Sequence, residues 1–126
     1  MKDRLLAGFA VALTLFVAAG SMRAHHAGSI YRENHITLRG TVTEYVFTSP
    51  HVRIHFEAKD ENGKAGKWTA LSAPPQRLYR AGWNMNTLKT GDHITVTGAP
   101  MKDGSKVLNI RRLEGPNGQV LNEGAD

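Results

Sequence analysis

The sequence predicts a small all-β domain with one short helix, folded as a five-stranded OB-like Greek-key barrel of the partly open, oligonucleotide/oligosaccharide-binding type. Three observations lead there. Five segments read as strands, and the first two alternate apolar and polar residues with the period of two that marks half-buried strands. Turn chemistry at Asn62-Gly63, Thr90-Gly91-Asp92 and Asp103-Gly104 separates them. The one clear helix signal falls between the third and fourth strand segments, where a barrel of this type carries its helix.

In Ile36 to Phe47, Ile36, Leu38, Gly40, Val42 and Val46 share one face, and Thr37, Arg39, Thr41, Thr43 and Tyr45 the other. Gly40 inside that strand marks an expected bulge or sharp bend. Thr48-Ser49-Pro50 is a turn. His51 to Ala58 alternates again, with Val52, Ile54 and Phe56 inward and His51, Arg53, His55 and Glu57 outward. Lys59 to Lys64 is a charged hairpin tip, and Lys67 to Ser72 is a third strand whose facing the pattern leaves open. Ser72 is read as a helix cap, Pro74-Pro75 preset the first turn, Gln76 to Ala81 favours helix and Gly82 terminates it. Trp83 is expected to plug a barrel end. Asn86 to Lys89 is read as one further turn, and the Asp92 side chain caps the turn before His93 to Gly98, the fourth strand. Lys102 to Ser105 turns the chain, Val107 to Leu113 is the fifth strand, and Gly115 to Gly118 seeds a last hairpin to Leu121. The barrel domain is thus 36–121, with an N-terminal arm at 25–35 and a frayed tail at 122–126.

The front of the chain has the layout of a secretory signal peptide. A charged start at Met1 to Arg4 precedes the apolar run Leu5 to Ala19, and small residues lead into His25-His26. The run is shorter than the roughly 20 residues that span a bilayer, so release without stable membrane insertion is expected after cleavage. The signal is taken as residues 1–24, with the cut between 19 and 24. Ala19, Gly20 and Ser21 satisfy the small-residue preference better than a cut after Ala24, which puts Met22 at the −3 position. The expected location is periplasmic or secreted. Removing 1–24 leaves 102 residues, 13 of them basic and 10 acidic, a mild excess of +3. There is no cysteine, so the domain has neither disulfides nor thiolate ligands and depends on its core.

No nucleophile elbow, phosphate loop, dinucleotide fingerprint or paired acid/base carboxylates occur, and an enzyme is not expected. The histidines carry more. All six, at 25, 26, 35, 51, 55 and 93, follow the signal. A chain cut after Ala24 would begin with His25, whose α-amine and ring Nδ1 form a chelate; a further imidazole completes a copper site of the histidine-brace kind. Imidazole donors suit copper, nickel and zinc, and affinity for divalent ions peaks at copper. His25, His26 and His51 are the candidate metal ligands, with His35 as a further candidate. His51 and His55 share a strand face but lie roughly 13 Å apart at about 3.3 Å per residue, too far to share an ion. His93 reads as a surface residue. The competing expectation is an OB-like module binding a small anionic ligand, a glycan or a partner protein through Arg53, His55, Arg39 and Lys102. Tyr45, Phe47 and Trp68 would add apolar contact to it. Nucleic acid is not an expected partner, since no stacked aromatic platform can be read in a basic groove.

Taken in order, the motifs resemble a known family. They are His25-His26, Thr41-Val42-Thr43, Ser49-Pro50-His51-Val52, Ala73-Pro74, Arg80-Ala81-Gly82-Trp83, Leu88-Lys89-Thr90-Gly91-Asp92, Val96-Thr97-Gly98 and Lys102-Asp103-Gly104. Over residues 25–119 the chain is similar to bacterial exported proteins classed as a domain of unknown function. The resemblance implies a signal peptide, a His-His start to the mature chain and a compact β-barrel. It implies no activity, so no catalytic residue is carried over. The family pattern has Asn before Pro-His where this chain has Ser49.

Overall fold

In the computed structural model, residues 29–123 are described. The element order is β1 (Ile36–Val46), β2 (Arg53–Lys59), β3 (Ala65–Leu71), α1 (Pro75–Arg80), β4 (His93–Pro100), β5 (Val107–Glu114) and β6 (Val120–Asn122). Antiparallel pairing runs β3-β2-β1-β4-β5-β6, and a parallel pairing of Thr69–Leu71 with Val107–Asn109 joins β3 to β5. That last ladder closes five strands into a barrel, with β6 as one extra strand on β5. The helix lies between β3 and β4. The protein is therefore the small all-β, OB-like barrel that its order of elements foretells. No helix among the described residues is long and apolar enough to cross a membrane.

Alternation makes the core. Leu38 and Val42 of β1, Ile54 and Phe56 of β2, Trp68 and Ala70 of β3, Ile94 and Val96 of β4, and Leu108, Ile110 and Leu113 of β5 are all buried. Leu78 from α1 and Trp83 just beyond it join the same cluster. Gly82, at φ +86°, ends the helix in the left-handed region that costs glycine nothing. The Asp92 carboxylate accepts from Lys89 N at 2.8 Å, as its turn position suggests.

Three expectations are corrected. The bulge in β1 lies at Thr43 and not at Gly40: Val42 pairs with Phe56 and Glu44 with His55, leaving Thr43 as the extra residue. Gly40 instead allows close approach, because a Cβ there would strike the Glu57 carbonyl oxygen and the Phe56 ring. One inserted residue reverses the facing of everything after it, so Tyr45 and Phe47 pack against the core and Tyr45 leaves the outer face assigned to it. Second, Ser72 does not cap α1; the N-cap is Pro74, without a side-chain bond. Third, Asn122 and Glu123 are not frayed. Asn122 belongs to β6, and Glu123 N donates to Arg111 O at 2.9 Å. Residues 124–126 lie outside the described residues.

The arm that precedes β1 is strapped down where it is described. Tyr31 bridges to Met101, Arg32 N donates to Pro100 O at 2.7 Å, and Lys102 N donates to Ile30 O at 2.8 Å. The chain thus enters the barrel against the β4–β5 connection.

Candidate functional site

The β1–β2 and β3–α1 connections are tied by a two-bond backbone ladder. Val52 N donates to Ala73 O at 3.1 Å, and Ser72 N to Val52 O at 2.9 Å. His51 sits at this junction, directly after the cis Ser49–Pro50 bond. Its Nδ1 lies 3.1 Å from the Ser72 carbonyl oxygen. A carbonyl oxygen only accepts, so Nδ1 is the donor of this bond, and in a neutral ring the lone pair is then on Nε2. Ser72 is buried, and its hydroxyl donates to Glu123 Oε1, which also accepts from Ala73 N at 2.9 Å. A carboxylate near the end of the chain therefore holds the loop that orients the imidazole.

His51 opens on a cleft of about 520 Å³, and His35, Tyr31, Arg77, Arg111 and Glu123 also line it. The structure thus brings together two of the four candidate metal ligands, His51 and His35. His25 and His26 lie outside the described residues. Among the described residues, no group of three or more His, Cys, Asp or Glu side chains is placed to hold a metal ion.

The four residues assigned to an anionic ligand are distributed differently. Arg53 and His55 stand half-buried on β2, with His55 Nδ1 2.9 Å from Thr69 Oγ1. Arg39 lines a separate groove of about 700 Å³ that also contains His93, Glu57 and Glu114. Lys102 lines a groove with Arg32, Glu61 and His35. They do not converge on one concave surface. Trp68, offered as an apolar contact for that ligand, faces inward, and its Nε1 is buried with no hydrogen-bond partner among the described residues.

Arg77, Arg111 and Glu123 were not visible as site residues in the sequence. Only Arg111 carries a local signal. Thr97 pairs with Arg112 and Gly98 with Ile110, so Arg111 is the extra residue of a second bulge. In the sequence this is the break of alternation at Ile110-Arg111-Arg112-Leu113.

Tyr45 joins an edge-to-face aromatic series with Phe47 (centroids 5.8 Å apart) and, beyond it, Tyr79 (5.0 Å from Phe47), and its hydroxyl donates to Asn84 O at 3.1 Å. Burial, then the neighbouring Tyr79 phenol, pushes the Tyr45 phenol well above the ordinary tyrosine range. An unfolded chain loses that proton near pH 10 while the folded one keeps it. The folded state then binds more protons, so stability is expected to fall as pH rises past about 10. Ultraviolet titration should show one of the three tyrosines resisting ionisation until the fold opens. Simultaneous ionisation of all three in the folded protein would contradict the packing of Tyr45.

A family model describing a family of unknown function (DUF6152) matches residues 12–109. The chain belongs to that family. No curated protein matches it significantly. Among solved structures it is similar to a chain in the crystal structure of a complex of TiaS with tRNA and ATP, at 22% identity and a TM-score of 0.45. The likeness covers 65% of this chain and 18% of that one, so the chain spans less than a fifth of that protein's length.

Proposed function

We propose that this DUF6152 member is an exported, non-enzymatic, periplasmic or secreted protein that binds copper through His25, His26 and His51, with His35 as a further donor. The observation that carries the reading is the contact between His51 Nδ1 and the Ser72 carbonyl oxygen. Metal-bound histidines commonly donate their second ring N–H to a carbonyl or carboxylate, which orients the ring and raises the basicity of the ligating nitrogen. His51 Nδ1 donates to the Ser72 carbonyl in this way, and Nε2 is left to ligate.

The donor set suits copper in kind: imidazoles, and an α-amine if His25 begins the mature chain. His51 and His35 are two donors, so His25 and His26 supply the remainder. Tyr31 lines the cleft, and the six residues from His25 to Tyr31 reach about 20 Å at full extension. That is enough chain for the N-terminal pair to enter the cleft. Copper bound there would be held by nitrogen donors and without thiolates, and its ligation requires deprotonated imidazole.

Two measurements test the reading. The intact mass of the protein recovered from expressing cells gives its first residue, and a start at Gly20, Ser21 or Met22 would remove the terminal chelate. Cu(II) titration of protein starting at His25 should show one tight site, weakened at least about tenfold by His51→Ala and unchanged by His93→Ala. Equal affinity in wild type and His51→Ala would end the proposal.

A further inference from the structure

The cleft beside His51 has a second chemistry that needs no metal. Arg77 of α1 and Arg111 of β5 line it, while Glu123 is the one carboxylate lining it among the described residues. That carboxylate already accepts from Ser72 and Ala73 through Oε1. The cleft thus presents Arg111 beside a carboxylate that is already partly engaged. Arg111 is the decisive member. As the extra residue of the β5 bulge it has no partner across the ladder from β4. Bulges re-aim side chains and recur beside functional sites. Its backbone carbonyl is used by Glu123 N, so the backbone is anchored on the C-terminal segment. Among the described residues its guanidinium has neither an ion pair nor a hydrogen bond. Its neighbour Arg112 differs: that side chain is spent on Glu114, at 2.8 Å, and on Asn122, at 3.1 Å.

We infer that this cleft binds a small organic oxyanion, a carboxylate or a phosphate ester, with Arg111 as the principal recognition residue and Arg77 beside it. A planar guanidinium fork matches two oxygens of such a group, and a concave site strengthens the attraction relative to open solvent. The volume of about 520 Å³ exceeds what an inorganic ion fills and falls in the range of small-molecule sites. The site differs from the surface expected from the sequence, since neither Arg53, His55, Arg39 nor Lys102 lines this cleft. It is formed by described residues and does not depend on the copper reading.

Calorimetric titration of the metal-free mature protein with succinate and with inorganic phosphate, at constant ionic strength, tests it. At least one probe should bind saturably with a stoichiometry of one, and the probe that does identifies the class. Arg111→Gln should weaken that binding about tenfold or more, the scale of losing charge-assisted hydrogen bonds. Arg112→Gln removes the same charge one residue away and should change it less than about twofold. Absence of saturable binding, equal losses in the two variants, or a loss that follows Arg53→Gln or Lys102→Gln instead, overturns the inference. No metal is present, so failure here leaves the copper proposal standing, and loss of copper binding in His51→Ala leaves this one standing.

Discussion

Gly98→Val is expected to cost the barrel about 4 kcal/mol or more and to leave little folded protein, since domains of this size are stable by only about 5–15 kcal/mol. Gly98 is buried in β4, paired with Ile36 on one side and with Ile110 on the other. A Cβ at that position would strike the Asn109 carbonyl oxygen and come within 2.8 Å of Leu108 Cδ1. Neither obstacle can yield cheaply. The carbonyl is part of β5, which also closes the barrel against β3, and the Leu108 side chain is fully buried. Relief therefore requires β4 and β5 to separate, which opens the ladder and the core together. Gly66→Ala is the informative contrast, because there the obstacle is the end of the Lys106 side chain, which can swing away. Thermal unfolding should show the difference directly. At roughly 4–8 °C per kcal/mol for a domain of this size, Gly98→Val should lose about 20 °C or more, while Gly66→Ala stays within a few degrees. A Gly98→Val protein that melts near wild type would show that β4 and β5 do not approach so closely.

The same glycine shows how much of the fold could be read from residues alone. Period-two alternation and turn chemistry located the strands because burying one face of a strand is a local pattern. The helix between β3 and β4 followed from Pro74-Pro75 and Gly82, which act through their own backbone angles. Gly40 and Gly98 owe their role to strands that lie elsewhere in the chain. At such a position the sequence says only that a side chain is missing. The two bulges lie between these cases. Val42-Thr43-Glu44-Tyr45 and Ile110-Arg111-Arg112-Leu113 each place two polar residues where strict alternation allows one, and each is where the pairing shifts. Reading the first as unbroken alternation assigned Tyr45 to the wrong face.

The candidate site was legible in part for the same reason. His51 stands in a turn marked by Pro50, and its type and placement suggested a ligand. Its orientation depends on Ser72, 21 residues away, and on Glu123, 51 residues beyond Ser72. No short motif contains those three residues. Arg77 and Arg111 line one cleft although they come from α1 and β5, which are far apart in the chain. The polar residues that surround His51 are assembled by barrel closure, so they had no signature before the strands were paired.

Adding Gly-Pro ahead of His25 in the mature protein is expected to weaken copper binding by about 10²–10⁴-fold, the range typically gained by linking two binding groups. The proposal treats the α-amine and the His25 ring as one chelate. The added pair keeps all six imidazoles, the charge and the barrel, but it moves the amine off His25 and puts an amide in its place. The His25 amide nitrogen gives up its proton far less readily than an amine with a pKa near 7.7–8.0, and the added proline has no N–H through which Cu(II) could build a chelate along successive amides, so the chelate is lost near neutral pH while every side chain remains. His51→Ala makes the complementary change: it keeps the chelate and removes the ligand whose Nδ1 is held by Ser72. If copper sits at one site built from both parts, the extended protein and His51→Ala should both weaken it. Combining them should then cost less than the sum of the two, because either change alone already breaks the site. Cu(II) titration with a competing chelator of known strength measures all four proteins on one scale. Unaltered affinity in the extended protein would mean that copper is held by side chains alone. Additive losses would mean that the N-terminal pair and His51 bind separate ions.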